Sequence, residues 1–135
     1  MTTPVYLAEH RVLDISLPCT ADLSSNIYAP LSWNGTTVGL AAAGASAVGF
    51  LQNKPNGSGA GDRTAGPTAT NRVNGTTRCV ASAAITAGDK IASAGAGQVR
   101  TAQSGDHVIG IALGAATGAG ELIGAIVTLG GAPLP

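Results

Sequence analysis

Aromatic residues are nearly missing from this 135-residue chain: Phe, Trp and Tyr together make up 3% of it, with one tryptophan. Charge is almost as scarce, at 10%, and the seven basic and seven acidic residues cancel. No run of Lys or Arg occurs. Nucleic-acid binding needs clustered cations and stacking rings, so the composition argues against a nucleic-acid partner. Two cysteines, Cys19 and Cys79, allow at most one disulfide and no metal cluster. The expected state is two small buried apolar side chains.

The chemistry of catalysis is equally thin. His10 and His107 are the only histidines. Asp106 adjoins His107, but neighbours on a strand point to opposite faces, so they make no dyad. Neither histidine has a second ligand at metal spacing. No Gly-x-Ser-x-Gly elbow occurs, and the Gly-rich GSGAGDRT at 57–64 lacks the lysine of a phosphate loop. The reading is a non-enzyme that needs no cofactor and no metal. The first residues show no basic start followed by an apolar run, so no secretory signal is expected. Residues 108–127 are apolar except for Glu121, but five glycines interrupt them. Two short strands joined by a turn explain that stretch better than a membrane span.

Small residues are what the chain has in quantity. Glycine contributes 20 positions and alanine, by count, 25, together a third of the sequence. Few side chains larger than alanine remain for a core, which suits a thin sheet-based domain or one that gains burial by assembling. Turn pairs recur: Asn34-Gly35, Asn56-Gly57 and Asn74-Gly75, then Gly61-Asp62, Gly88-Asp89 and Gly105-Asp106. Both kinds tolerate the positive φ of tight turns. Short apolar runs lie between them, at 12–17, 48–51, 78–81, 108–113 and 122–129. The pattern predicts an all-β fold, a small β-barrel or sandwich of short strands with Gly-rich turns. The best helical candidate is the short piece at 21–25. Lys90 reads as a solvated strand edge.

An internal repeat is visible at a shift of 61 residues. It aligns 38–59 with 99–120, matching Val38 with Val99, Ala41 with Ala102, Gly44 with Gly105 and Gly49 with Gly110, then Gly57 with Gly118 and Gly59 with Gly120. Two related sheet units are expected, and Gly49 and Gly110 should sit in the same backbone setting. The rest of the organisation is an extended N-terminal arm over 1–11 and one β domain over 12–135, with an exposed loop at 56–71. Tyr6, Leu7, His10 and Arg11 in the arm, Arg63 in the loop, and Trp33 are the candidate interface residues. Trp33 has two readings, a cap on the edge of a barrel or an interface anchor. The tail at 130–135 reads as a strand end or a short loose tail.

Three phrases, VGFLQNKP at 48–55, AAITAGDKI at 83–91 and HVIGIALGAATGAGELIGAIV at 107–127, resemble in that order the small β-rich cement, or head decoration, proteins of tailed-phage capsids. The likeness spans about residues 10–130. It departs most at the longer Gly/Thr/Pro-rich stretch 56–71 and in the arm. The resemblance implies a virion protein on the outer surface of a phage head, made in the bacterial host cytoplasm. Its partners would be the major capsid protein and copies of itself, with a trimer favoured and a dimer as alternative. No nucleic acid and no membrane would be involved. Other readings with the same β character are a tail or fibre subunit, or a cell-surface adhesin-like module.

Overall fold

The computed structural model describes residues 12–58 and 68–135. The arm, with Tyr6, Leu7, His10 and Arg11, and the loop residue Arg63 lie outside the described residues. Ten strands follow one another: β1 Leu13–Pro18, β2 Pro30–Trp33, β3 Val38–Leu40, β4 Gly49–Leu51, β5 Thr68–Asn74, β6 Thr76–Val80, β7 Lys90–Gly95, β8 Gln98–Thr101, β9 Gly110–Ala112 and β10 Leu122–Val127. They build two antiparallel five-stranded sheets in a sandwich-like, all-β arrangement. The sheet orders are β1-β5-β4-β2-β3 and β6-β10-β9-β7-β8.

The second order is the first with five added to every strand, so the chain is a duplicated unit. The registers make the equivalence residue by residue. Leu31 opposes Gly49 as Ile91 opposes Gly110, and Leu51 opposes Asn71 as Ala112 opposes Ala125. Ile15 opposes Asn71 as Thr77 opposes Ala125. Equivalent residues are thus 62 apart in β1 and β6 (Ile15, Thr77), 60 in β2 and β7 (Leu31, Ile91), 61 in β4 and β9 (Gly49, Gly110), and 54 in β5 and β10 (Asn71, Ala125).

The cores obey the same correspondence. The first unit buries Cys19, Leu23, Leu31, Val38, Leu51 and Ala69 together. Their counterparts Ala81, Ile85, Ile91, Val99, Ala112 and Ile123 are buried together in the second. Each sheet curls until its two edges touch at one parallel bridge, Cys19 with Val38 and Ala81 with Val99. A single bridge is not a closing ladder, so neither sheet becomes a barrel. Alternation along β10 shows the rule at work: Ile123, Ala125 and Val127 face the core, while Leu122 and Ile126 take the outer face.

Gly49 and Gly110 do share one setting. A Cβ on Gly49 would stand 3.0 Å from the carbonyl oxygen of Arg72, and one on Gly110 would stand 2.7 Å from that of Ile126, the equivalent residue. Gly44 and Gly105 both have positive φ, 72° and 87°. The match ends after Pro55 and Ala116. Gly57 is pressed against the Cys19 carbonyl, whereas Gly118 is open.

Several local expectations are corrected. Residues 21–25 form turns and not a helix, because Asp22 accepts hydrogen bonds from the Ser24 amide and hydroxyl at 3.0 and 2.6 Å. Lys90 opens β7, which lies inside its sheet between β9 and β8 and not at an edge. Residues 68–71, read as loop, belong to β5, where Ala69 and Asn71 are buried. The tail is neither loose nor a regular strand. Pro133 bridges His107, the Leu134 amide donates to the Asp106 carbonyl, and the Gly105 amide donates to the Leu134 carbonyl, both at 2.8 Å. Residues 108–127 supply β9 and β10, the two strands expected there. Cys19 and Cys79 are both buried and form no disulfide. Burial pushes the Cys79 thiol up to about 12.

Asp106 ties the tail end of the second unit together. Its carboxylate accepts from Arg100 Nη2 at 3.0 and 3.1 Å and from the Gln103 amide at 3.0 Å. Burial alone would raise this carboxyl, but the Gln103 amide and the Arg100 guanidinium hold it below its ordinary value. A depressed folded-state pKa contributes stability above the unfolded value of about 3.9, and that contribution is lost as pH falls through the lower folded value. Asp106→Asn is therefore expected to cost about 2 kcal/mol at pH 7. Urea unfolding should show the gap between variant and parent closing below about pH 4. A gap equally large at low pH would remove the charge from the account.

Candidate functional site

The two units meet where the outer face of the first sheet lies against the β6 edge of the second, and where residues 41–44 of the first reach Ser93 on β7 and the His107 amide. On the outer face of the first sheet, Phe50 is fully buried and packs into the second unit's core cluster. Beside it, Gln52 Nε2 donates to Thr77 Oγ1 at 2.8 Å, and Arg72 Nη1 donates to the Thr76 carbonyl at 3.0 Å. Further along, the Gly44 amide donates to the Ser93 carbonyl at 2.8 Å, and the buried Ser93 hydroxyl donates to the Ala41 carbonyl at 3.0 Å. The Gln52 and Arg72 contacts engage β6, the edge strand of the second sheet, at Thr77 and Thr76, and its residues alternate exposed and buried.

β1 is the equivalent edge of the first sheet, and it is open. Its residues are exposed on both sides except for half-buried Leu17. Val12, Leu13 and Ile15 put apolar surface there. Among the described residues, the Asp14 side chain is held by Arg72 across the ladder at 2.8 and 3.1 Å. The Arg72 hydrogen bond, assisted by its charge, keeps the Asp14 carboxyl below its ordinary value.

The outer face of the second sheet is also open. Leu113, Leu122 and Ile126 are exposed there, with half-buried Ile111 opposite Ile126. A cleft of about 420 Å³ runs along the junction, lined by Tyr28, Gln52, Arg72, Arg78, Leu113 and Gly124 among others. Tyr28 stands in a left-handed conformation, φ 73°, where the equivalent residue is Gly88, φ 93°. Both amides donate to equivalent carbonyls at 2.7 Å, Leu51 and Ala112. A tyrosine in this backbone region carries a strain of about 1 kcal/mol that glycine avoids, so the cleft keeps an aromatic wall at a cost.

Of the sequence-predicted interface residues, Trp33 alone is described. It closes β2 opposite Val38 and is 40% exposed. It lies on the first unit's β2–β3 hairpin and is not among the residues that line the cleft. The sequence reading missed the outer face of β9 and β10, because alternating Leu and Ile on a short strand look the same whether they face core or water. Among the described residues, no group of three His, Cys, Asp or Glu side chains converges for a metal. Asp106 engages Arg100 and Gln103, while His107 Nδ1 lies 3.2 Å from the Gly131 carbonyl, so the two form no dyad. No described helix is long and apolar enough to cross a membrane.

These surfaces define a duplicated all-β module with an exposed edge strand and an exposed apolar face. Among solved structures, the fold is similar to the head fiber gp8.5 N base of bacteriophage phi29, with a TM-score of 0.65 over 87% of this chain and 95% of that chain, at 13% sequence identity. No family model matches the chain, and no curated protein matches it.

Proposed function

We propose that this chain is a structural protein of a phage virion that binds the outer surface of the head and cements neighbouring major capsid subunits. The observation that carries the reading is convergence. The phrases at 48–55, 83–91 and 107–127 resemble head decoration proteins, and the fold is similar to that of the head fiber gp8.5 N base of bacteriophage phi29. The physical role is clamping: each copy bridges neighbouring subunits and opposes the pressure of packed DNA. Modest affinity per copy suffices, because many copies and several contacts per oligomer raise the total. The proposed partners are the major capsid protein and copies of itself, as a trimer. No cofactor, metal or covalent step is required, and no catalysis is proposed. The protein would be made in the host cytoplasm and reside on the virion.

A second reading takes the likeness to the head fiber base at face value: a pedestal for a longer projection, present at fewer sites. Co-sedimentation with undecorated heads, before and after expansion, tests both. Saturable binding to expanded heads at hundreds of copies is the expected result. Saturation at tens of copies would favour the pedestal. No binding to either form of the matching phage's heads would sink the head reading.

A further inference from the structure

We propose that the open β1 edge and the apolar outer face of the second sheet are two halves of one interface, and that a second copy of this chain occupies each, joined head to tail into a closed ring. The inference deepens the self-association in the functional reading and rests on the duplication, not on head binding.

The chain already contains this interface once, between its own units. There the outer face of the first sheet, through Phe50, Gln52 and Arg72, covers β6 at Thr76 and Thr77. By the strand registers, the same face of the second unit carries Ile111, Leu113 and Ile126, and the same edge of the first unit carries Asp14 and Ile15. The contact is used in one direction only. Gln52 reaches Thr77, but Leu113 and Ile15, the counterparts, are 52% and 37% exposed. A one-directional contact leaves one donor face and one acceptor edge unused on every chain, the two different patches that a heterologous, head-to-tail interface pairs.

The substitutions at the free halves agree with each other. The polar Gln52–Thr77 pair is matched by Leu113 and Ile15, apolar on both sides, and Arg72 is matched by Ile126. Had these faces met water only, polar residues would serve on both. Exposed apolar area on two surfaces that correspond through an existing interface is what a contact between copies would bury. One contact does not carry over. The Gly105 amide, the counterpart of Gly44, donates to Leu134 of the same chain's tail and not to a neighbour. The interface between copies therefore rests on its apolar part.

The test is solution mass combined with paired substitutions. The parent chain should run as one discrete multiple of 13.1 kDa that does not grow with concentration. Leu113→Glu and Ile15→Lys should each drop the mass to that of one chain. Both changes together should restore the multiple, since the new charges meet across the interface. Unchanged circular dichroism will show that the single variants fold, as expected for exposed positions. In addition, an Ile15→Cys, Leu113→Cys chain should cross-link on oxidation into species of two or more chains on non-reducing gels. A monomeric parent, single variants that stay assembled, or a cross-link closed within one chain would each overturn the proposal. Open-ended growth with concentration would overturn the ring. A monomer that still saturates heads would defeat this inference and leave head binding standing.

Discussion

Phe50→Ala is expected to cost about 4 kcal/mol, the largest loss from truncating any described side chain. Among the described residues, Phe50 is the most voluminous that is fully buried, and it enters the core of the unit that did not supply it. The substitution leaves a cavity where the first sheet meets the second core, and the β ladders on either side limit how far it can collapse. A chain of this size has roughly 5–15 kcal/mol to lose, and the urea midpoint should fall by about 2 M. Trp33, the only tryptophan, reports on the first unit, while circular dichroism reports on both. In the parent, fluorescence and dichroism should change together. In the variant they should separate, because the side chain joining the two cores is gone. A loss under about 1 kcal/mol, with the probes still coincident, would mean that the backbone and polar contacts at Gly44, Ser93 and Gln52 couple the units without it.

The second large effect concerns a single methyl group. Gly110→Ala should destabilise by about 3 kcal/mol. The added Cβ would lie 2.7 Å from the Ile126 carbonyl oxygen and 3.3 Å from Ile91 Cδ1. The side chain could give way, but the carbonyl belongs to a ladder between β9 and β10 and cannot. Gly49→Ala meets the equivalent Arg72 carbonyl at 3.0 Å and the Asn71 Cβ at 2.9 Å, and should cost a similar amount. Gly114→Ala is the control: nothing lies within 4 Å of its Cβ and its φ is not positive, so its effect should stay within about 0.5 kcal/mol. Thermal and urea unfolding of the three variants decide the matter. If Gly110→Ala behaved like Gly114→Ala, the close approach would not be what fixes glycine there.

The contrast among these glycines shows what the sequence could reveal. The all-β class and the repeat were legible, because turn pairs and Gly49 with Gly110 obey backbone rules that act locally or at one constant spacing. The full duplication was not legible. Its offset changes from 62 to 60 to 61 to 54 residues as loops differ in length, so a single shift aligns only 38–55 with 99–116. The edge strands hid it further. Asp14 and Ile15 stand where Thr76 and Thr77 stand, and these residues differ because one edge is covered within the chain and the other is not. Lys90 was misplaced for a related reason: a charge at the start of an interior strand leans into solvent as readily as one on an edge. The tail was unreadable because its partner, the 105–107 turn, is distant in sequence. The interface residues expected in the arm and at Arg63 lie outside the described residues, and Trp33 sits on an exposed hairpin by itself.

The connection after β4 is sixteen residues long, while its counterpart after β9 is nine. Framework and ornament therefore follow different counting rules. The β scaffold recurs with every unit, but the long connection recurs only with every second one. A lattice of these chains would show one symmetry to a probe of backbone shape and a lower one to a probe of surface chemistry. Changes confined to the long connection would be displayed at half the density of the scaffold, with spacing set by the chain and not by the fold.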